Sequence, residues 1–200
     1  MQVAVVKYNA GNIFSVMNAL KRLGVDALLT DDAATLRNAD RVIFPGQGEA
    51  CSAMSYLREH QLDEVIRSLT QPVLGICIGQ QLLCRHSDEG DVDCIGVFKD
   101  AEVKRFHPQK HEDKVPCMGW NALLNLKGRL FHGFPQEGEN PYVYFVHSYY
   151  VPVCDETTAT ADYILPYSAA MQKDNFYACQ FHPEKSGSVG ERIIKNFLEL

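Results

Sequence analysis

Apolar residues recur along this chain with two different periods, and the switching between them lays out alternating strands and helices. Val3 to Val6 is a short unbroken apolar run of the kind that forms a buried strand, followed by a loop from Tyr8 to Asn12. Ile13, Val16, Met17, Leu20 and Leu23 then fall at helical spacing, and Gly24 stops the helix. Residues 25–29 and 42–44 read as further strands, the second running into Pro45-Gly46. Met54, Leu57, Leu62, Val65, Ile66 and Leu69 make one helical region, Val73 to Ile76 another buried strand, and residues 80–85 suit a helix. The second half is richer in strands, with candidates at 95–98, 103–106, 142–146, 159–164, 169–172 and 176–181. Val189, Ile193, Ile194, Phe197 and Leu198 close the chain as a helix. The pattern predicts an α/β fold: an open, mainly parallel twisted sheet with helices on both faces, and extra antiparallel strands in the second half. No repeat, linker or low-complexity segment interrupts it, so residues 1–200 are expected to form a single domain. In such a sheet, ligands bind at the carboxyl ends of the strands.

Bulk properties narrow the function. A net charge of −6 without a basic run argues against nucleic acid or a membrane surface as the main partner. Met1 leads straight into a strand, and no apolar stretch approaches a membrane span. Seven irregularly spaced cysteines fit a reducing cytoplasm, where thiols stay free. Neither Cys-x-x-Cys nor a usable His-x3–5-His pair occurs, since Pro108 lies between His107 and His111; no metal site is expected. The loop at Tyr8 to Asn12 lacks both glycine-rich phosphate-binding patterns, so no nucleotide cofactor is expected either.

The chemistry concentrates in VLGICIGQQ, residues 73–81. Cys77 stands at the junction of an apolar strand and a helix, with Gly75 and Gly79 two positions either side. That is the pattern of a nucleophile elbow, in which glycines allow a sharp turn and close approach. A sulfur at a helix N-terminus is favoured as thiolate. A small core hydrophobe is the bland reading of a cysteine, and it fits Cys84, Cys94, Cys154 and Cys179 better than Cys77. A base is supplied by NFYACQFHPEKSG: in an extended segment His182 and Glu184 point to one side, so the carboxylate can fix the imidazole tautomer. Pro183 suits a strand end.

GICIGQQ followed by FHPE resembles the class I, or triad, glutamine amidotransferases, whose pattern is Gly-x-Cys-x-Gly-x-Gln joined later by His-Pro-Glu. PGQG at 45–48, MGWN at 118–121, YFVHSY at 144–149 and QKDNFYACQFHPEKSG are similar, more narrowly, to glutaminase subunits of imidazole glycerol phosphate synthases, which serve histidine biosynthesis. The resemblance spans the chain. It implies hydrolysis of the side-chain amide of glutamine: Cys77 attacks, His182 protonates the departing ammonia, and water activated by His182 releases glutamate from a thioester. The oxyanion donors are expected at the backbone of Ile78 and of Gln47 or Gly48. Gln81 and Glu89 are implied to contact the glutamine, Glu89 taking the ammonium, with His147, Ser148 and Tyr149 bordering the pocket. Taken alone, Glu89 reads equally as part of a solvated acidic loop, and His147 as a structural histidine.

Ammonia needs an acceptor, and the chain carries no synthase module. The resemblance implies a (βα)8-barrel cyclase as heterodimer partner, with Asn12, Trp120, Tyr144 and Lys185 at the interface. A lone Trp or Tyr is otherwise most often core. Glutaminases serving anthranilate, guanylate or pyridoxal phosphate synthesis are alternatives, disfavoured by MGWN and YFVHSY. More distant ones are a γ-glutamyl hydrolase and a non-catalytic regulatory subunit. Two positions depart from the family pattern: Gln47 replaces the usual valine of the oxyanion turn, and Cys117 replaces the histidine that commonly precedes MGWN.

Overall fold

A computed structural model of the chain describes residues 1–9, 11–135 and 139–200; Ala10, within the loop expected after the first strand, lies outside them. The first half alternates as its apolar periods require: β1 (Val3–Val6), α1 (Ile13–Arg22), β2 (Leu28–Thr30), α2 (Ala33–Asn38), β3 (Arg41–Phe44), α3 (Ala50–Glu59), α4 (Leu62–Arg67), β4 (Val73–Ile76) and α5 (Ile78–Leu83). Then come β5 (Cys84–Ser87), β6 (Val92–Asp93), β7 (Phe98–Arg105), β8 (Cys117–Ala122), β9 (Tyr142–His147), β10 (Tyr149–Tyr150), β11 (Thr157–Tyr163), β12 (Leu165–Lys173), β13 (Phe176–Cys179) and α6 (Gly187–Leu198).

The main sheet has seven strands in the order β11-β12-β13-β4-β3-β1-β2. From β13 to β2 the pairings are parallel; β12 and β11 add to one edge antiparallel. Strands β1, β3, β4 and β13 are buried on both faces because helices cover both. On one face α1 and α6 pack through Val16, Leu20, Ile193 and Phe197, together with the β8–β9 hairpin. On the other, α2 to α5 pack through Leu36, Met54, Leu57, Ile66 and Leu82, with β5 to β7 behind them. No helix among the described residues is long and apolar enough to cross a membrane.

Several expected boundaries move, each for a local reason. β2 starts at Leu28 and not at residue 25, because Val25 donates to Leu20 O (3.0 Å) and Gly24 to Lys21 O, closing α1 with a left-handed Gly24 at φ 76°. The helical region through Met54 and Leu69 splits at Gln61, whose φ is 56°. The helix expected at 80–85 begins earlier and ends at Leu83, since Cys84 turns extended and enters β5. Of the strands expected at 95–98 and 103–106, the second falls in β7, which starts at Phe98; residues 95–97 are no strand, with Ile95 N–H bound to Leu82 O and Gly96 N–H to Cys84 O.

Candidate active site

Strand pairing brings together two motifs that are a hundred residues apart. β13 lies parallel beside β4 with Cys179 opposite Ile76, so the residues leaving the two strands emerge side by side. Cys77 N–H donates to Cys179 O at 2.7 Å. Gln180, Phe181 and His182 follow, and His182 N–H is caught by Tyr144 O of β9 at 2.9 Å.

Cys77 has φ 54° and ψ −109°, a backbone conformation that a residue with a side chain adopts only when its surroundings impose it. The elbow's strain therefore sits on the cysteine itself. The flanking glycines serve close approach: a Cβ on Gly79 would stand 2.2 Å from Phe44 O, and one on Gly75 2.9 Å from the Gly79 backbone. Without them α5 could not lie against the ends of β3 and β4. The sulfur is nearly buried and, besides the His182 ring, has Val146 O at 3.9 Å and Gln180 Nε2 at 3.7 Å as polar neighbours.

The His182 ring is fully buried, with Nδ1 2.7 Å from Glu184 Oε1. With a carboxylate there, Nδ1 carries the proton and Nε2 is the basic nitrogen. Among the described residues Nε2 finds no hydrogen bond of normal geometry, although Cys77 is close enough to couple with it. Such contacts tighten only with substrate in many sites. Burial opposes charging of His182, but the sulfur of Cys77 and then Glu184 outweigh it and raise its pKa to about 10. Glu184 does not continue an extended segment as expected. It lies in a 3-10 turn, Pro183–Lys185, that folds the carboxylate back onto the ring. Sequence reasoning assigns Asn12 no part in this pair. Asn12 sits at φ 67° before α1, donates to the same Glu184 oxygen, and has its amide nitrogen 3.4 Å from His182 Nδ1.

A cleft of about 250 Å3 opens on Cys77. Gln47, Gly48, Ile78, Gln81, Glu89, His147, Ser148 and Tyr149 all line it, joined by Pro116 and Val146. The turn at residues 45–48 leaves β3, the neighbour of β4, and is held from behind: Tyr8 Oη donates to Pro45 O (2.6 Å) and Gly11 N–H to Gln47 O (2.8 Å). Gly46 packs so tightly on Ile78 and Tyr8 that only glycine fits. Glu89 is half-buried and accepts from Ala50 N–H (2.9 Å) at the start of α3. Burial raises its pKa, partly countered by that hydrogen bond. His147 donates from Nδ1 to Tyr149 O at 2.7 Å. Burial lowers its pKa to about 4 against the pull of that carbonyl, so it stays neutral beside the Cys77–His182 pair. Gln81 donates to Tyr149 O (3.1 Å) and to Gln180 Oε1 (2.9 Å).

The residues expected at a partner surface lie behind this pair. Trp120 is 57% exposed and packs edge-on to Tyr144, its cross-strand partner, with ring centroids 6.2 Å apart. Lys185 is exposed next to Glu184, whereas Asn12 is half-buried on that carboxylate. Phe14 and Met118, 80% and 64% exposed, are additions that the sequence reading misses. A signal for them exists: Phe14 falls off the Ile13–Val16–Leu20 face of α1, and Met118 alternates with buried Cys117.

Comparison with known proteins agrees with this geometry. The family model for glutamine amidotransferase class-I matches residues 5–200. The chain is similar to the imidazole glycerol phosphate synthase subunit HisH of Bacteroides thetaiotaomicron, 63% identical over 200 residues with both chains fully covered. It is 44% identical to that of Idiomarina loihiensis, covering all of this chain and 98% of the relative. Among solved structures, a putative GMP synthase protein from Thermoplasma acidophilum superposes with a TM-score of 0.74 at 22% identity, over 100% of this chain and 92% of that one. At that identity the likeness speaks for the fold alone.

Proposed function

The chain belongs to the class I glutamine amidotransferases, and from that premise we propose that it is the glutaminase subunit of an imidazole glycerol phosphate synthase. The observation that carries the chemistry is the strained Cys77, which lines the cleft, with the buried His182–Glu184 pair behind it. Thiolate Cys77 attacks the glutamine carboxamide carbon, and the oxygen charge falls to the N–H groups of Ile78 and of Gln47 or Gly48. Imidazolium His182 gives its proton to the departing amine, ammonia leaves, and a thioester remains on Cys77. His182, now neutral, takes a proton from water; the hydroxide displaces the sulfur and glutamate is released. Glu184 holds the tautomer throughout. Glu89 receives the α-ammonium and Gln81 borders the same ligand.

The partner in this reading is a (βα)8-barrel cyclase that uses the ammonia to form imidazole glycerol phosphate and an aminoimidazole carboxamide ribonucleotide, in histidine biosynthesis. Phe14, Met118, Trp120, Tyr144 and Lys185 supply a surface for it, apolar with one cation, and Asn12 joins that side to Glu184. Residues 1–200 act as one amidotransferase domain. Seven free cysteines suit the cytoplasm. The test is glutamate release by the chain alone, with the cyclase, and with cyclase plus its nucleotide ligand. Slow release alone and fast release in the liganded complex is the expected result. Full rate in the isolated chain would remove the gating, and no release in any state would remove the glutaminase.

A further inference from the structure

Gln180 is wholly buried, immediately follows β13, and touches the nucleophile, yet nothing in the mechanism above uses it. Which end of its amide meets the sulfur can be decided from a backbone group. Tyr149 O can only accept, so the Gln81 atom 3.1 Å from it must be Nε2. The same nitrogen lies 2.9 Å from Gln180, whose nearer atom must therefore be Oε1. That leaves Gln180 Nε2 as the atom 3.7 Å from Cys77 Sγ. Another neighbour of the sulfur is Val146 O at 3.9 Å, an acceptor. A thiol satisfies Val146 O by donating to it, whereas a thiolate is repelled by it and gains from Gln180 in addition to the His182 ring. The pair of contacts thus discriminates between the two protonation states of Cys77.

We propose that Gln180 is a positioning residue that holds the Cys77 sulfur as an acceptor, and that Gln81, by fixing the Gln180 amide, ties the substrate cleft to the nucleophile. Tyr149 O anchors the relay, since it also accepts from His147 Nδ1 and so fixes that ring in the cleft wall. A ligand drawing on Gln81 pulls on the partner that keeps Gln180 turned toward the sulfur. Only the turnover consequence rests on the glutaminase reading; the effect on Cys77 does not.

The test is the pH profile of Cys77 alkylation by iodoacetamide in the full-length chain, with the modified peptide identified by mass. In Gln180→Met, of similar shape and without a donor, the profile moves to higher pH by about one unit, the roughly tenfold loss that one hydrogen bond to a charged group represents. Glutamine turnover falls about tenfold or more in kcat with KM little changed. Gln180→Glu keeps an acceptor for Gln81 but sets a carboxylate against the sulfur, and shifts the profile at least as far; it serves if the methionine variant does not fold. Gln80→Met is the control for lost buried polarity. Gln80 is equally buried and donates to Ser168 O (3.1 Å), away from the sulfur, so its profile stays with the parent. An unshifted profile in a folded Gln180 variant, or an equal shift in the Gln80 variant, overturns the proposal. Iodoacetamide needs no glutamine, so failure here is separable from failure of the parent chain to release glutamate.

Discussion

A single methyl group added at Gly46 should silence glutamine chemistry while leaving the protein folded. A Cβ there would stand 2.1 Å from Ile78 Cγ2 and 2.3 Å from Tyr8 Oη, where carbon–carbon contact requires about 3.5 Å. Neither neighbour yields easily. Ile78 is β-branched and buried in the first turn of α5. Tyr8 Oη is pinned to Pro45 O at 2.6 Å. The oxyanion turn and the elbow must therefore separate by more than an ångström in Gly46→Ala. Such overpacking costs about 1–3 kcal/mol of stability. Displacing one oxyanion donor costs roughly 10²–10³ in kcat. The assay is glutamate release in the cyclase complex, run beside synthesis from externally supplied ammonia, which should persist, while co-elution of the two chains shows that the complex still forms. Ile78→Ala in the same background removes the clashing methyl and keeps the backbone N–H, so it should recover part of the rate. A Gly46→Ala complex that hydrolyses glutamine at the parental rate would refute the placement of the oxyanion donors.

Three further outcomes follow from the same geometry. His182→Ala should approach the damage of losing Cys77, Glu184→Gln should hurt less, and the double variant should be little worse than His182→Ala, because the groups act as one unit; additive losses in kcat would contradict a coupled pair. Glu89→Gln should raise KM for glutamine by roughly 10–100-fold, the range for a hydrogen bond to a charged group, with a smaller change in kcat; an unchanged KM would take the ammonium away from Glu89. The raised pKa of His182 makes its contribution to stability full below about pH 6.5, the unfolded value, and lost as pH rises through about 10. The melting-temperature gap between the parent and His182→Ala should therefore shrink from about pH 6 to about pH 10.5, and a constant gap would show that charging of His182 does not stabilise the fold.

What the sequence discloses, and what it hides, divides along one physical line. β1, α1, β3, β4 and α6 are legible because each is buried by its own period, as in the Ile13–Val16–Leu20 stripe of α1. α2 is not, since AATLRN buries only Leu36; its one local sign is Asp32, which caps Thr35 N–H at 2.7 Å. β5, with CRHS, and β8, with CMGWNA, have no apolar alternation strong enough to announce a strand, and owe their form to pairing with β7 and β9. The site follows the same rule. Cys77, His182 and Glu184 stand out by spacing, and Gln81 and Glu89 by resemblance. Gln180 is hidden because a glutamine between Cys179 and Phe181 looks like a polar interruption, and only the β4–β13 register turns it to the sulfur. Asn12 is implied by the resemblance as a contact for another chain, and only the left-handed turn before α1 places its amide on Glu184.

The most direct test of the central assignment is to supply the cyclase complex with a Cys77→Ala chain and measure synthesis from glutamine and from ammonia in parallel. Glutamine-dependent product should vanish while ammonia-dependent product continues near the parental rate. If the variant complex still made product from glutamine, Cys77 would not be the nucleophile; if a folded complex lost the ammonia-dependent reaction as well, glutamine hydrolysis and synthesis would not be divided between the two chains.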